Sequence, residues 1–324
     1  MTQLGTFFAF LAGSIVLSAN APAAHAEFPD RPLRIIVPFA AGGGMDIMAR
    51  DISSVLSERL GVAVTVENVS GGGTVIGTQR VVAAAPDGYT LLFHSGALAI
   101  DVTYRKTQPY DVRTNLAPIT KAAWGPFAVV VSHSSPAKTL REFVDYSKKN
   151  PGKLNYGSSG VGAGMHLIME YLKATAGIDV VHVPFRGEAP ATTALLSGDV
   201  QIMLKPPFIA LPLVQENKVT PLAVTGGNRS LLLPDVPTIA EAGYENFEAG
   251  YWGGFFAPAG TPPEVIKKLN TEIVASINDK RVAERLLKTG VEVIGNSPEQ
   301  FRQELDKEIE LWRKVINESG IQPQ

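Results

Sequence analysis

Three glycine-rich turns, each set where a β-strand should give way to a helix, constrain this chain more than any other feature. They are Ala41-Gly42-Gly43-Gly44, Ser70-Gly71-Gly72-Gly73 and Gly157-Ser158-Ser159-Gly160-Val161-Gly162-Ala163-Gly164. Glycine lets the backbone pass through positive φ and come close to a ligand, and the unpaired N–H groups at a helix N-terminus favour negative charge. One such turn is ordinary loop punctuation. Three in the same setting predict a pocket of backbone amides that binds an anion.

The segments around the turns repeat a strand–helix grammar. Leu33 to Phe39 reads as a strand, and Met48, Ile52, Val55, Leu56 and Leu60 mark one face of the helix after it. A strand over Val62 to Glu67, a helix near Val75 to Ala85 closed by Pro86-Asp87-Gly88, and a strand over Tyr89 to Phe93 follow. This βαβ punctuation predicts an α/β fold with a mostly parallel sheet covered by helices. From about Phe127 the grammar restarts, with strands at Ala128 to Val131, Leu154 to Gly157, Val180 to Val183, Val200 to Leu204 and Pro221 to Thr225. Thr139-Leu-Arg-Glu142 reads as a capping box, and the tail carries two signalled helices, opening at Thr261-Pro-Pro-Glu264 and Ser297-Pro-Glu-Gln300. The last puts Phe301, Leu305, Ile309, Trp312 and Ile316 on one stripe, a core-packing pattern.

Composition narrows the function. A chain of 324 residues with 45% hydrophobic content can bury a sizeable core and suggests two domains. A net charge of -2 with scattered Lys and Arg gives no footprint for nucleic acid or an anionic membrane. There is no cysteine, which excludes disulfides, thiol catalysis, thiolate metal sites and a lipid-modified cysteine anchor. The first 26 residues, apolar from Phe7 to Leu17 and ending Ala24-His25-Ala26, read as a signal peptide cleaved before Glu27, although no Lys or Arg precedes Asp30. The mature protein is thus expected to be soluble and exported to the periplasm.

The wording of several segments carries a resemblance. Val37-Pro-Phe-Ala-Ala-Gly-Gly-Gly-Met-Asp46 with Ala49-Arg50, Glu67-Asn68, Asn155-Tyr-Gly-Ser-Ser159, Val183-Pro-Phe-Arg-Gly187, Leu233-Pro-Asp-Val-Pro237-Thr238, Trp252-Gly-Gly and Ala257-Pro-Ala-Gly-Thr-Pro262 closely resemble the Bug family. These are periplasmic solute-binding proteins of tripartite tricarboxylate transporters, and the likeness spans nearly the whole mature chain. It implies a two-lobed, type II-like periplasmic binding protein fold. Lobe 1 would comprise residues 27–126 plus 229–324 and lobe 2 residues 127–228, with the ligand in the cleft between them. It further implies a small carboxylate ligand, di- or aromatic, held by loop amides and ordered waters. The partners would be membrane permease subunits, with the protein a monomer that needs no cofactor or metal.

The candidate ligand residues are Phe39, Ala41, Gly43, Gly44, Asp46, Gly73, His94, Ser95, Ser158, Ser159, Gly162, Ala163, Arg186 and Lys205. Asp46 opens a helix, where its carboxylate is expected to cap backbone amides more than to meet ligand. Ser158 and Ser159 could cap the next helix or donate to a carboxylate. His166 lies in that helix's first turn, where the dipole disfavours an imidazolium, so it is expected neutral and packed. His94 and Ser95 close a strand at the edge where open α/β sheets place ligands. Arg186 could donate a bidentate pair to a carboxylate, or be a surface charge. Lys205 ends an apolar strand before Pro206-Pro207, and departs from the acidic or small polar residue more common there in the family. As a cleft cation it would favour a second anionic group. Trp124 and Phe127 fall at the crossover, where rings stack on a planar ligand or pack a hinge.

Enzyme signatures are absent. Gly42-Gly-Gly44 is followed by Met45, Asp46 and Ile47, which fails the dinucleotide spacing. No Walker lysine, Gly-x-Ser-x-Gly elbow or helical histidine pair is present. A hydrolase using Ser158 or Ser159 with His166 or His94 is the one enzyme alternative, and a receptor reporting to a membrane sensor kinase is the other alternative to transport.

Overall fold

The computed structural model describes residues 28–323; the expected signal peptide and its cleavage after Ala26 lie outside them. In chain order the first sheet's elements are β1 (Leu33–Val37), α1 (Gly44–Leu60), β2 (Val64–Asn68), α2 (Val75–Val82), β3 (Thr90–Ser95), α3 (Ala97–Tyr104), α4 (Val112–Asn115) and β4 (Leu116–Pro126). The chain then crosses to β5 (Ala128–Ser132), α5 (Leu140–Lys149), β6 (Asn155–Ser158), α6 (Gly164–Ala176), β7 (Val181–Pro184), α7 (Glu188–Ser197), β8 (Ile202–Lys205), α8 (Pro207–Gln215) and β9 (Val219–Val224). It returns through β10 (Gly250–Pro258), α9 (Pro263–Ile277), α10 (Lys280–Lys288), β11 (Glu292–Val293) and α11 (Pro298–Glu318).

Two sheets result, ordered β11-β4-β10-β3-β1-β2 and β7-β6-β8-β5-β9. The parallel pairs β1–β2, β1–β3, β6–β7 and β6–β8 follow from the βαβ punctuation. Both sheets are mixed, which corrects the mostly parallel expectation: β10 runs antiparallel to β3 and β4, and β5 antiparallel to β8 and β9. The long strands β4 and β10 have no alternating pattern. β4 is buried along most of its length and β10 is rich in glycine, so periodicity did not reveal them. α3 and α10 also went unread.

Caps fix the helix starts. The capping boxes at Thr139 and Ser297 each make both reciprocal bonds. Thr261 does not cap α9; its hydroxyl donates to the Pro258 carbonyl at 2.8 Å, and Pro262 occupies the cap. The stripe Phe301, Leu305, Ile309, Trp312 and Ile316 is buried, joining α11 to one core that runs through both sheets. α1 and α9 pack the other face of the first sheet, with Ile52, Leu56, Leu269 and Ile273 fully buried.

Candidate functional site

Two helix N-termini, one on each sheet, meet at a cavity of about 200 Å³. β3 ends in Ser95-Gly96 and passes directly into α3; β6 ends in Ser158 and reaches α6 through the third glycine turn. Neither cap residue, Gly96 or Ala163, bonds through a side chain, although Ser95 Oγ accepts from Ala97 N at 3.3 Å. Their first-turn amides therefore keep the partial positive charge of a helix start. Ser95, Gly96, Ala97, Ser159 and Gly164 form the polar side of the cavity, while Ile100, Phe127, Met165, Ile168, Tyr251 and Trp312 make it mainly apolar.

Two buried polar groups stand at its wall. Glu308 on α11 accepts from Trp252 Nε1 at 2.7 Å and from Trp312 Nε1 at 3.1 Å. Burial pushes its carboxyl up, against the opposing pull of Lys121 and the two indoles. Tyr251 on β10 has a buried hydroxyl without a hydrogen-bond partner. Burial, and then the nearby Glu188 carboxylate, push its phenol well up, so it is a neutral donor.

The first two glycine turns do not line this cavity. In the first, Asp46 is 3% exposed and accepts from Gly42 N and Arg50 Nε, both at 2.8 Å. Burial raises its carboxyl, but those donors outweigh it and hold it below the ordinary range. Asp46 thus serves the turn, while Ala41, Gly43 and Gly44 remain exposed. In the second, the Gly73 carbonyl accepts from Arg105 Nη2 at 2.6 Å. The expectation of one amide pocket built from three turns therefore narrows to the third turn together with the β3–α3 junction, a start that carries a single glycine.

Three side chains depart from an open role, and a fourth, Arg186, stays on the surface. Lys205 is 0% exposed; its ammonium donates to Glu188 Oε1 at 3.0 Å and Thr192 Oγ1 at 2.6 Å, so it is committed within its own sheet layer. His94 is fully buried, edge-on to Phe39 with ring centroids 5.4 Å apart, and its Nδ1 lies 2.9 Å from the Ser95 carbonyl. Burial lowers it to about 4, which keeps it neutral. Ser158 is 0% exposed and faces inward, with Oγ 2.7 Å from His182 Nε2. That pairing replaces the serine–histidine partners of the hydrolase alternative, and no carboxylate hydrogen-bonds to His182 among the described residues. Arg186 is exposed, at the turn before α7.

The two sheets also touch at Gly162. An added Cβ there would lie 2.3 Å from Tyr104 Cε1, so the α3 tyrosine rests directly on the third turn. Ala163 follows as the α6 cap. At the crossover, Phe127 reaches the cavity, whereas Trp124 lines an adjoining groove of about 500 Å³ beside β4 and α11, with Gly250, Glu308 and Trp312 common to both walls.

Residues 48–321 match the family model described as the tripartite tricarboxylate transporter family receptor. The chain belongs to this family. A similar protein is the UPF0065 protein in the tcbD–tcbE intergenic region of Pseudomonas sp. (strain P51), 38% identical over 90% of this chain and 87% of the relative. BugT of Bordetella pertussis is 33% identical over 93% of each chain. Among solved structures, the periplasmic binding protein BugD superposes with a TM-score of 0.75 at 33% identity, covering 92% of this chain and 100% of that one. An R. palustris protein solved with adipate gives 0.78 at 32% identity (92% and 100% covered), and MatC from Rhodopseudomonas palustris, solved with bound malate, gives 0.74 at 32% (89% and 100%). The Bug resemblance and the two-lobed α/β periplasmic binding protein fold are thereby established, and with them a solute-binding receptor.

Several site residues carried no local motif. Tyr104, Arg105, Glu188 and Tyr251 are brought in by tertiary packing. Glu308 had a readable signal: it falls half-buried beside the apolar stripe of α11, three residues after Leu305 and four before Trp312, where a carboxylate needs donors.

Proposed function

We propose that this receptor works in the periplasm, capturing a small carboxylate with a compact apolar body for the permease subunits of a tripartite tricarboxylate-type transporter. Residues 27–126 plus 229–324 and residues 127–228 act as its two lobes. The observation that carries this reading is the cavity of about 200 Å³ where the α3 and α6 starts meet over an apolar floor. A carboxylate suits the amides and the Ser95 and Ser159 hydroxyls; methylene or aryl carbons suit Phe127, Ile168 and Tyr251. The volume equals about seven waters at ~30 Å³ each, enough for a small acid and too little for a peptide. The relatives solved with adipate and malate support the carboxylate class. With Lys205 already paired, a second carboxylate is not required by the lining, so adipate, benzoate and short aliphatic acids belong in one screen. Thermal shift of the mature protein should rise with one of these acids and not with its neutral amide, since only a ligand of the folded state stabilises it. Equal shifts for acid and amide would defeat the reading.

A further inference from the structure

The loop that begins α6 is held from behind by two histidines. Gly162 N donates to His166 Nδ1 at 3.0 Å, and Ser158 Oγ lies 2.7 Å from His182 Nε2. The two imidazoles stack with centroids 4.0 Å apart, and Tyr156 stacks on His182 at 4.7 Å. The bond from Gly162 requires His166 Nδ1 to be unprotonated. Gly162 and Ser158 bracket Ser159 and precede the α6 amides, so the pair governs where those donors point.

We propose that His166 and His182 are positioning residues for ligand capture, holding the third glycine turn in its amide-presenting form while both rings are neutral. The proposal rests on the anion-binding reading of that turn. Protonated His166 would set an Nδ1–H against the Gly162 N–H, donor facing donor, and two imidazoliums at stacking distance would repel. The turn would lose its rear support, and ligand affinity would fall with acidification.

The surroundings agree. Facing the pair are Tyr156 on β6, and Glu170 and Lys173 on α6, which bond each other at 2.8 Å. Tyr156 OH donates to Glu170 Oε1 at 2.5 Å. Tyr104 of α3 lies against Gly162, and Ser319, Gly320, Ile321 and Gln322, none with an ionisable side chain, close a cavity of about 360 Å³ whose other walls include both rings, Glu170 and Lys173. Glu170 is thus engaged by Lys173 and Tyr156, leaving neither imidazole a free carboxylate. Burial, with Lys173 for His166 and mainly the neighbouring ring for His182, lowers both to about 4, against a smaller upward pull of Glu170 on His182.

The test follows the Gly162 amide and the histidine rings by NMR from pH 7.5 to 3, with adipate titrated by calorimetry at pH 7.5 and 4. The Gly162 resonance should titrate with the His166 ring, and adipate should bind about two- to four-fold more weakly at the lower pH. His166→Gln, which keeps an acceptor but cannot titrate, should retain affinity and flatten that dependence; His166→Ala should lose affinity at both values. A Gly162 resonance that ignores His166 protonation, or a pH dependence unchanged in His166→Gln, overturns the proposal. Absence of adipate binding by wild type at both pH values counts against adipate as ligand, while the amide titration still decides the role of the histidines.

Discussion

Replacing Gly162 by alanine probes the contact between the two sheets at the third turn. Gly162 has φ of +79°, a conformation that costs an L-residue about 1–2 kcal/mol. Its new Cβ would stand 2.3 Å from Tyr104 Cε1, so the ring must retreat by about 1 Å to reach ordinary contact. Tyr104 is itself 7% exposed, and overpacking at such a site costs about 1–3 kcal/mol. The two contributions sum to about 2–5 kcal/mol. If the packed state persists, the melting temperature should fall by about 4–10 °C, at roughly 2 °C per kcal/mol for a chain of this size. If the lobes part instead, the loss appears as weakened ligand binding, roughly 30-fold or more. The assay is a double-mutant cycle with Tyr104→Ala by chemical denaturation and calorimetry. With the ring gone, Gly162→Ala should cost only the backbone contribution, leaving a coupling of about 1–3 kcal/mol. An equal penalty in both backgrounds would refute the steric argument.

Lys205→Met should destabilise the protein by about 2–3 kcal/mol, below the usual cost of breaking a buried pair because Glu188 is partly exposed. Lys205→Met with Glu188→Gln should recover most of the loss in urea unfolding; a neutral single variant would mean that the pair is not formed. Glu308→Gln turns amide hydrogens toward one of two indole donors, costing about 1–3 kcal/mol with altered tryptophan fluorescence; an unchanged emission and midpoint would contradict the bridge. Stability should also depend on pH through His94, His166 and His182, each lowered by burial from 6.5 to about 4. The unfolded chain takes up protons first as pH falls, so their contribution is complete above 6.5 and is lost between 6.5 and 4, at up to about 1.4 kcal/mol per pH unit for each ring. Urea midpoints at pH 7.5, 6 and 5 should therefore descend, and a flat or rising series would show that the rings are not buried neutral.

The local chemistry of this receptor was written in its sequence. Glycines at turns that need positive φ, capping boxes at Thr139 and Ser297, and the apolar stripe of α11 act over a few residues, so spacing alone exposes them. The carboxylate of Asp46, read as a cap for the first turn, does bond the Gly42 amide. What spacing could not supply was which starts share a cavity. That depends on where the chain leaves β4 for the second sheet and re-enters the first through β10, strands whose burial and glycine content erase the period-2 signal. That path brings the starts of α3 and α6 to one cavity and seats Tyr104 on Gly162, while the first two turns stay apart. The fate of each charge was likewise tertiary. Lys205 reads as an open cation from its neighbours in sequence, but α7 folds Glu188 and Thr192 over its ammonium, because a buried charge must find partners wherever the chain can provide them.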